Sequence, residues 1–120
     1  MIAKGIMMKI IKLKVRKKED RKTVFDCETA KTFFEKTKGL MFSEKKNVLF
    51  VFNEERIFGI HSFFVFFPFD AVYLNTKREV VEVIRNINPF TTYIKNNIPA
   101  KYLLELCEKS DLKIGDCLEW

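Results

Sequence analysis

At 120 residues, with 48% hydrophobic and 32% charged residues, the chain has the balance of one folded domain and is neither disordered nor fibrous. Aromatics reach 14%, with 13 Phe, which leans the composition towards strands, and the net charge of +6 favours solubility and a mild attraction to anions. Cys27, Cys107 and Cys117 are odd in number and fit no zinc spacing, so they read as reduced buried thiols of a cytoplasmic protein, with no metal or cofactor expected.

Residues 1–8 read as a loose lead-in, with Met7 and Met8 as alternative starts to Met1, and Lys4, Lys9, Lys12 and Lys14 break any signal-peptide run. Ile11-Lys12-Leu13-Lys14-Val15-Arg16 alternates apolar and basic residues with period two, the pattern of a half-buried strand. Lys17-Lys18-Glu19-Asp20 is a polar turn, and Thr23-Val24-Phe25-Asp26-Cys27 is the returning strand of a hairpin. Residues 1–22 hold nine Lys or Arg against two acids, a net of +7 that leaves −1 for the other 98 residues. Lys12, Lys14, Arg16, Lys17 and Lys18 are therefore the candidate contacts for nucleic acid or another anionic surface. A lysine-protected edge strand explains the same charge and is preferred, because no aromatic residues interleave there to stack on bases.

Thr29 is suited to cap a short helix running to about Lys38, with Phe33 and Phe34 on one face and Gly39 as its stop. Val48-Leu49-Phe50-Val51-Phe52 is a buried strand. The stretch from Ile57 to Leu74 is the most apolar part of the chain, but its longest unbroken apolar run, Phe63 to Phe67, is strand-sized, and no membrane span is expected. It reads as two β segments joined by a bend at Pro68. Asn75-Thr76-Lys77-Arg78 turns the chain into a strand from Glu79 to Ile84, and Asn86 to Pro99 is a loop with one short strand. Tyr102 to Leu106 is a further strand, Ser110 to Lys113 holds one helical turn, and Gly115 opens a last strand to Trp120. Seven to nine short strands and one helix near residues 29–38 fit a single domain, 1–120, built as an antiparallel jelly-roll-like sandwich or small barrel.

Several stretches together resemble the uncharacterised prokaryotic domain-of-unknown-function family 192. Lys38-Gly39-Leu40-Met41 is similar to that family's Arg-Gly-Leu-Met signature, and Ile60-His61-Ser62-Phe63-Phe64 before Pro68-Phe69-Asp70 is similar to its central motif. Leu103-Leu104-Glu105-Leu106 and Ile114-Gly115-Asp116 resemble its two later motifs, so the likeness covers about residues 10–120. It implies a mainly β fold of the jelly-roll or sandwich kind and no established activity, so it transfers no catalytic residue. Three departures stand out. Arg78 occupies a turn position where the family usually has Gly, which predicts a left-handed or otherwise strained backbone there. Cys107 stands where Pro is usual, and Ser62 replaces a Met.

No catalytic or metal-binding signature is present. The candidate pocket is His61, Phe63, Phe64, Phe66, Asp70, Tyr73, Lys38 and Glu105. His61 is the one side chain that titrates near neutral pH, and Asp70 or Glu105 could join it in acid–base or metal-assisted chemistry of a small hydrolase-like enzyme. The aromatics could instead line a cleft for an unknown small ligand or a protein. A binding module with an aromatic-lined cleft is the leading expectation. The structural alternative makes His61 a wall residue, ties Asp70 to a backbone turn and pairs Glu105 with a neighbouring cation.

Overall fold

The computed structural model describes residues 12–30, 45–60, 66–91 and 93–120. Nine strands occur among them: β1 Lys12–Lys17, β2 Val24–Ala30, β3 Asn47–Arg56, β4 Gly59–Ile60, β5 Phe69–Leu74, β6 Val80–Ile87, β7 Ile94–Lys95, β8 Ala100–Leu106 and β9 Leu118–Glu119. Seven form one sheet in the order β6-β5-β8-β3-β2-β1-β9, and β4 pairs with β7 separately. All neighbours are antiparallel except β2 and β3, which run parallel from Cys27↔Asn47 to Ala30↔Phe50.

The sheet curls into a half-barrel. One apolar cluster draws Val15 from β1, Phe25 from β2, Leu49 from β3, Val72 from β5, Val80 from β6, Leu104 from β8 and Leu118 from β9. Only the concave side of a curled sheet can gather side chains from all seven strands. A second cluster, Val48, Phe50, Phe69, Tyr73 and Leu103, uses the opposite side chains of the central strands and forms the convex face. Phe52, Phe58, Ile60, Phe67 and Ile94 pack over it from β3, β4, β7 and their flanks.

The outermost strands approach each other at one end, where Glu79 bridges Cys117. Val80 N–H donates to Asp116 O at 2.8 Å, Gly115 N–H to Val80 O at 2.9 Å, and Leu118 N–H to Arg78 O at 3.0 Å. Asp116 lies buried beside this seam, with Lys17 Nζ at 3.6 Å and Lys113 Nζ at 3.1 Å from its carboxylate. Burial alone would raise its pKa, but the Lys113 N–H and ammonium and the Lys17 charge outweigh that and hold it low.

Three expectations need correction. The strands do not divide into the two packed sheets of a jelly-roll sandwich, because seven of them share one hydrogen-bonded ladder. Thr29 does not cap a helix: Thr29 and Ala30 end β2, paired with Leu49 and Phe50, and residues 31–38 lie outside the described residues. Residues 110–113 carry no helical turn. The small-barrel expectation lies nearer to what is observed, and the bend at Pro68 stands directly before β5.

The β5–β6 turn shows why Arg78 matters. Arg78 N–H donates to Asn75 O at 2.9 Å, and Asn75 Oδ1 accepts the N–H groups of Lys77 and Glu79. Arg78 then takes φ 65°, the left-handed residue that follows a tight hairpin turn and is normally Gly. Its guanidinium lies 4.0 Å from the Trp120 ring centroid and donates to Trp120 O at 2.9 Å, while Trp120 meets Tyr102 edge-on at 4.9 Å. The left-handed backbone costs roughly 1 kcal/mol, whereas the cation–π contact and hydrogen bond together contribute about 2 kcal/mol. We therefore predict that urea melts rank wild type above Arg78→Gly, which loses the contacts but sheds the strain. Arg78→Ala, which loses the contacts and keeps the strain, should rank lowest. A glycine variant more stable than wild type would show that the seam contacts contribute less than the strain costs.

Candidate functional site

The β5–β8 register decides which candidate residues can meet. Asp70 is opposite Leu106, Ala71 opposite Glu105, and Tyr73 opposite Leu103. Side chains alternate along a strand, so Asp70 shares the face of Val72 and Leu106, while Glu105 and Tyr73 share the face of Leu103. The two carboxylates thus lie on opposite sides of the sheet.

The sequence expectation has Asp70 holding the turn after Pro68; its carboxylate holds the backbone of β6 instead. Its carboxylate accepts Asn86 N–H at 2.7 Å and Arg85 Nη1 at 3.2 Å, and Arg85 also donates to Ser110 O and Leu112 O. Asn86 sits where the β5–β6 register shifts, so Asp70 fixes a bulge and ties β6 to the loop before β9.

Glu105 is different. It is 5% exposed on the convex face, and no cation pairs with it among the described residues, contrary to the neighbouring-cation expectation. Burial pushes its pKa up to about 8, so at neutral pH the carboxyl is protonated and able to donate. The Tyr73 hydroxyl on the same face is completely buried and has no hydrogen-bond partner among the described residues; its pKa is raised by burial and by the Glu105 charge. Two polar groups capable of donating therefore sit beneath an aromatic cover.

That cover leads outward. Phe58 stacks 5.7 Å from Tyr73 and 4.2 Å from Phe52, and Arg56 lies 5.8 Å from the Phe52 ring. Asn96, fully buried, accepts Phe58 N–H and donates to the carbonyls of Arg56 and Ile98, which locks the β3–β4 connection against the β7–β8 connection. Around this staple Ile57, Tyr93 and Ile98 are exposed, with the Tyr93 ring so close over Gly59 that any Cβ there would collide with it. Phe66 and Phe90, 62% and 53% exposed, pair edge-on at 5.9 Å. Phe90 has φ 63°, a strained conformation for a bulky residue.

Of the predicted pocket, Phe66, Asp70, Tyr73 and Glu105 are placed by the structure, and His61, Phe63, Phe64 and Lys38 lie outside the described residues. Sequence reasoning missed Phe58, Phe90, Tyr93 and Asn96. The Pro89-Phe90 pair and the Asn-rich run before Pro99 were the available signals, since a turn can present a ring to solvent.

The basic hairpin is less open than expected. Lys12 and Lys18 are exposed, Arg16 is half-buried, and Lys14 is ion-paired to Asp26 at 2.7 Å. Lys17 points inward to Asp116, as the odd-numbered face of β1 requires. β1 is no free edge at its C-terminal end, where β9 pairs with Arg16 and Lys17. Cys27 is buried, with burial pushing its thiol up to about 12, and the Cys107 thiol is raised for the same reason. All three cysteines are free, and among the described residues no cluster of His, Cys, Asp or Glu could hold a metal ion. Among those residues no helix is long and apolar enough to cross a membrane.

Comparison with known proteins agrees with this architecture. The model of family DUF192, described as an uncharacterized ACR, matches residues 14–120. A UPF0127 protein of Thermococcus sibiricus is 32% identical over 99 residues, 76% of this chain, and the chain spans 63% of that relative's length. A UPF0127 protein of Pyrococcus furiosus is 35% identical over 98 residues, covering 76% of this chain and 83% of the relative. A crystal structure of a protein of unknown function from Novosphingobium aromaticivorans superposes with TM-score 0.79 at 25% identity, covering 92% of this chain and 85% of that one. Another, from Sinorhizobium meliloti and provisionally described as a transcription regulator, gives TM-score 0.84 at 22% identity over 93% and 95% of the two chains. At that identity the likeness is one of fold.

Glu105 yields a signed prediction. Its folded pKa, about 8, lies above the unfolded value of 4.5, so between those values the folded state binds more protons and stability falls as pH rises. Glu105→Gln should flatten this decline and be the more stable protein at about pH 9, by on the order of a few kcal/mol. Denaturation at several pH values tests it, and parallel curves for the two proteins would refute a raised pKa. Tyr73→Phe removes an unpaired hydroxyl and should leave stability unchanged or raise it by about 1 kcal/mol. A loss larger than that would mean the hydroxyl has a partner.

Proposed function

The chain belongs to the uncharacterised family DUF192, and we propose that it is a binding module whose aromatic surface takes an apolar, aromatic-bearing segment of a protein partner. The observation that carries this reading is the exposure of Ile57, Tyr93 and Ile98 beside the β4–β7 pair, with the Tyr93 ring over Gly59, and of Phe66 and Phe90, which pair with each other edge-on. Large apolar side chains held together in water mark interaction surfaces, and aromatic rings are enriched at them. The strain at Phe90 supports the same reading, because nothing in the buried core requires its ring to face outward. Arg56 and Lys95, both exposed, flank the surface and favour a segment with acidic residues beside its aromatic ones.

An acid–base role for His61 would draw on Glu105 or Asp70, and Glu105 as a neutral carboxyl under the aromatic cover is the better suited of the two. Binding of an anionic surface by the hairpin has less to rest on, since Lys17 and Lys14 are already paired. Neither has an observation as direct as the exposed aromatic group.

Selection from a displayed random-peptide library, with Phe66→Ser/Phe90→Ser as the counter-target, tests the proposal. Both rings are exposed, so the variant should fold normally by circular dichroism. Peptides carrying two or more aromatic residues near acidic ones should be enriched and should bind the variant at least about tenfold more weakly. Enrichment of peptides that bind both proteins equally would remove the aromatic surface as the site.

A further inference from the structure

On the convex face the strand registers set the side chains in a lattice. Ala71 is opposite Glu105 on β8 and Ile84 on β6, and Val48 on β3 is opposite Glu105 from its other side. Along β5, Phe69 and Tyr73 stand two residues either side of Ala71 and share its face. The Ala71 methyl is therefore ringed by Phe69, Tyr73, Glu105 and Ile84, all of which reach further from the sheet. The sheet has a hollow there, beneath the aromatic cover, with Glu105 and Tyr73 on its rim. Ile84 is half-buried, so the β6 side of the hollow lies nearest to solvent.

Glu105 borders this hollow without a counter-charge. It is 5% exposed, and among the described residues no donor or cation engages its carboxyl. The other titratable groups of that face are also acids. The Tyr73 hydroxyl is unpartnered, and Glu82, opposite Tyr73, accepts the Asn97 and Ile98 N–H groups. The cations stand elsewhere. Arg56, opposite Ala100, and Lys101 lie at the far end of β8, roughly 13–17 Å along the strand from Glu105. They are drawn to the Phe52 and Tyr102 rings, and Lys95 is exposed on β7. A buried carboxyl among aromatic rings, with no cation of its own, is complementary to a positive charge, which ring faces attract as well.

We propose that this hollow binds a small organic ammonium ion, its N–H groups donating to Glu105 and the Tyr73 hydroxyl and its apolar body packed on Phe69 and Ile84. The site lies under the aromatic cover and does not depend on a protein partner docking outside it. An ammonium head carries three donors, enough for the carboxylate and the hydroxyl together. An anion would meet Glu105 and Glu82 with no cation in reach, and a neutral alcohol would leave the carboxyl uncharged. Burial keeps Glu105 protonated in the free protein at neutral pH. Uptake of an ammonium ion therefore ionises it: the carboxyl O–H bond breaks and its proton passes to solvent.

Calorimetry and two-dimensional NMR on the full chain, with phenethylamine, phenethyl alcohol and phenylacetate, provide the test. Phenethylamine should shift the amide resonances of Ala71, Tyr73 and Glu105 and bind at least about tenfold tighter than the alcohol, and phenylacetate should not bind. Calorimetry at neutral pH in buffers of different ionisation heat should show proton release with the amine. Glu105→Gln, close to the same size and shape, should stay folded, lose at least about tenfold in amine affinity and release no proton. Equal affinity for amine and alcohol, unchanged amine binding in the variant, binding without proton release, or no amine binding would each overturn the proposal. Shifts confined to Phe90, Tyr93 and Ile98 would also overturn it while leaving the aromatic surface intact.

Discussion

Three adjacent strands, β5, β8 and β3, are apolar on both faces, and a sheet of that kind has to be covered twice. Along β5 and β8 almost every residue is buried, with Val72 and Leu104 on one side and Tyr73 and Leu103 on the other. Each such side chain left in water would forfeit about 1.5–3 kcal/mol of burial. The chain covers one face by curling the sheet on itself. It covers the other with Phe52 at the end of β3 and with the segments that carry β4 and β7, whose Phe58, Ile60 and Ile94 close over the convex side. Both features of functional interest follow from the second cover. Glu105 and Tyr73 are trapped under it, and Tyr93, beside β7, is left in solvent over Gly59.

Curling brings the two outer strands together, and the seam between them is made with charge as well as backbone. Asp116 sits under it between Lys17 and Lys113, and Arg78 is stacked on Trp120 across it. A buried ion pair is a poor source of net stability, because desolvation offsets most of the Coulomb attraction. Its value here is registration: Lys17 and Asp116 can meet in one alignment of β1 with the chain entering β9. Arg78 performs the same service from β6, at the expense of a strained backbone.

Much of the local structure was legible from residue order. The alternation from Lys12 to Arg16, the turn at Asn75 and the bend at Pro68 are consequences of covalent geometry and period, and all three fall where the structure has them or within a residue or two, whereas the strained backbone at Arg78 was expected from the family resemblance. What failed involved choices between partners. Thr29 can cap a helix or extend a strand, and β3 running parallel beside it decided for the strand. Lys17 reads as part of a polar turn until Asp116 is placed opposite. A set of short strands is equally compatible with two packed sheets and with one curled sheet, since both bury alternate residues.

The apolar stretch around Pro68 shows the division most clearly. Sequence alone determined that its unbroken apolar run is too short for a membrane-spanning helix, that it breaks at Pro68, and that its phenylalanines need a packed surface. Tertiary structure alone decided which rings are core and which are rim, and that Asp70 and Glu105, both near it in space, face opposite ways. The reason is physical: period and turn chemistry act between neighbours a few bonds apart. The face a side chain occupies in the assembled sheet, and what covers it, depend on strands that are distant in the chain.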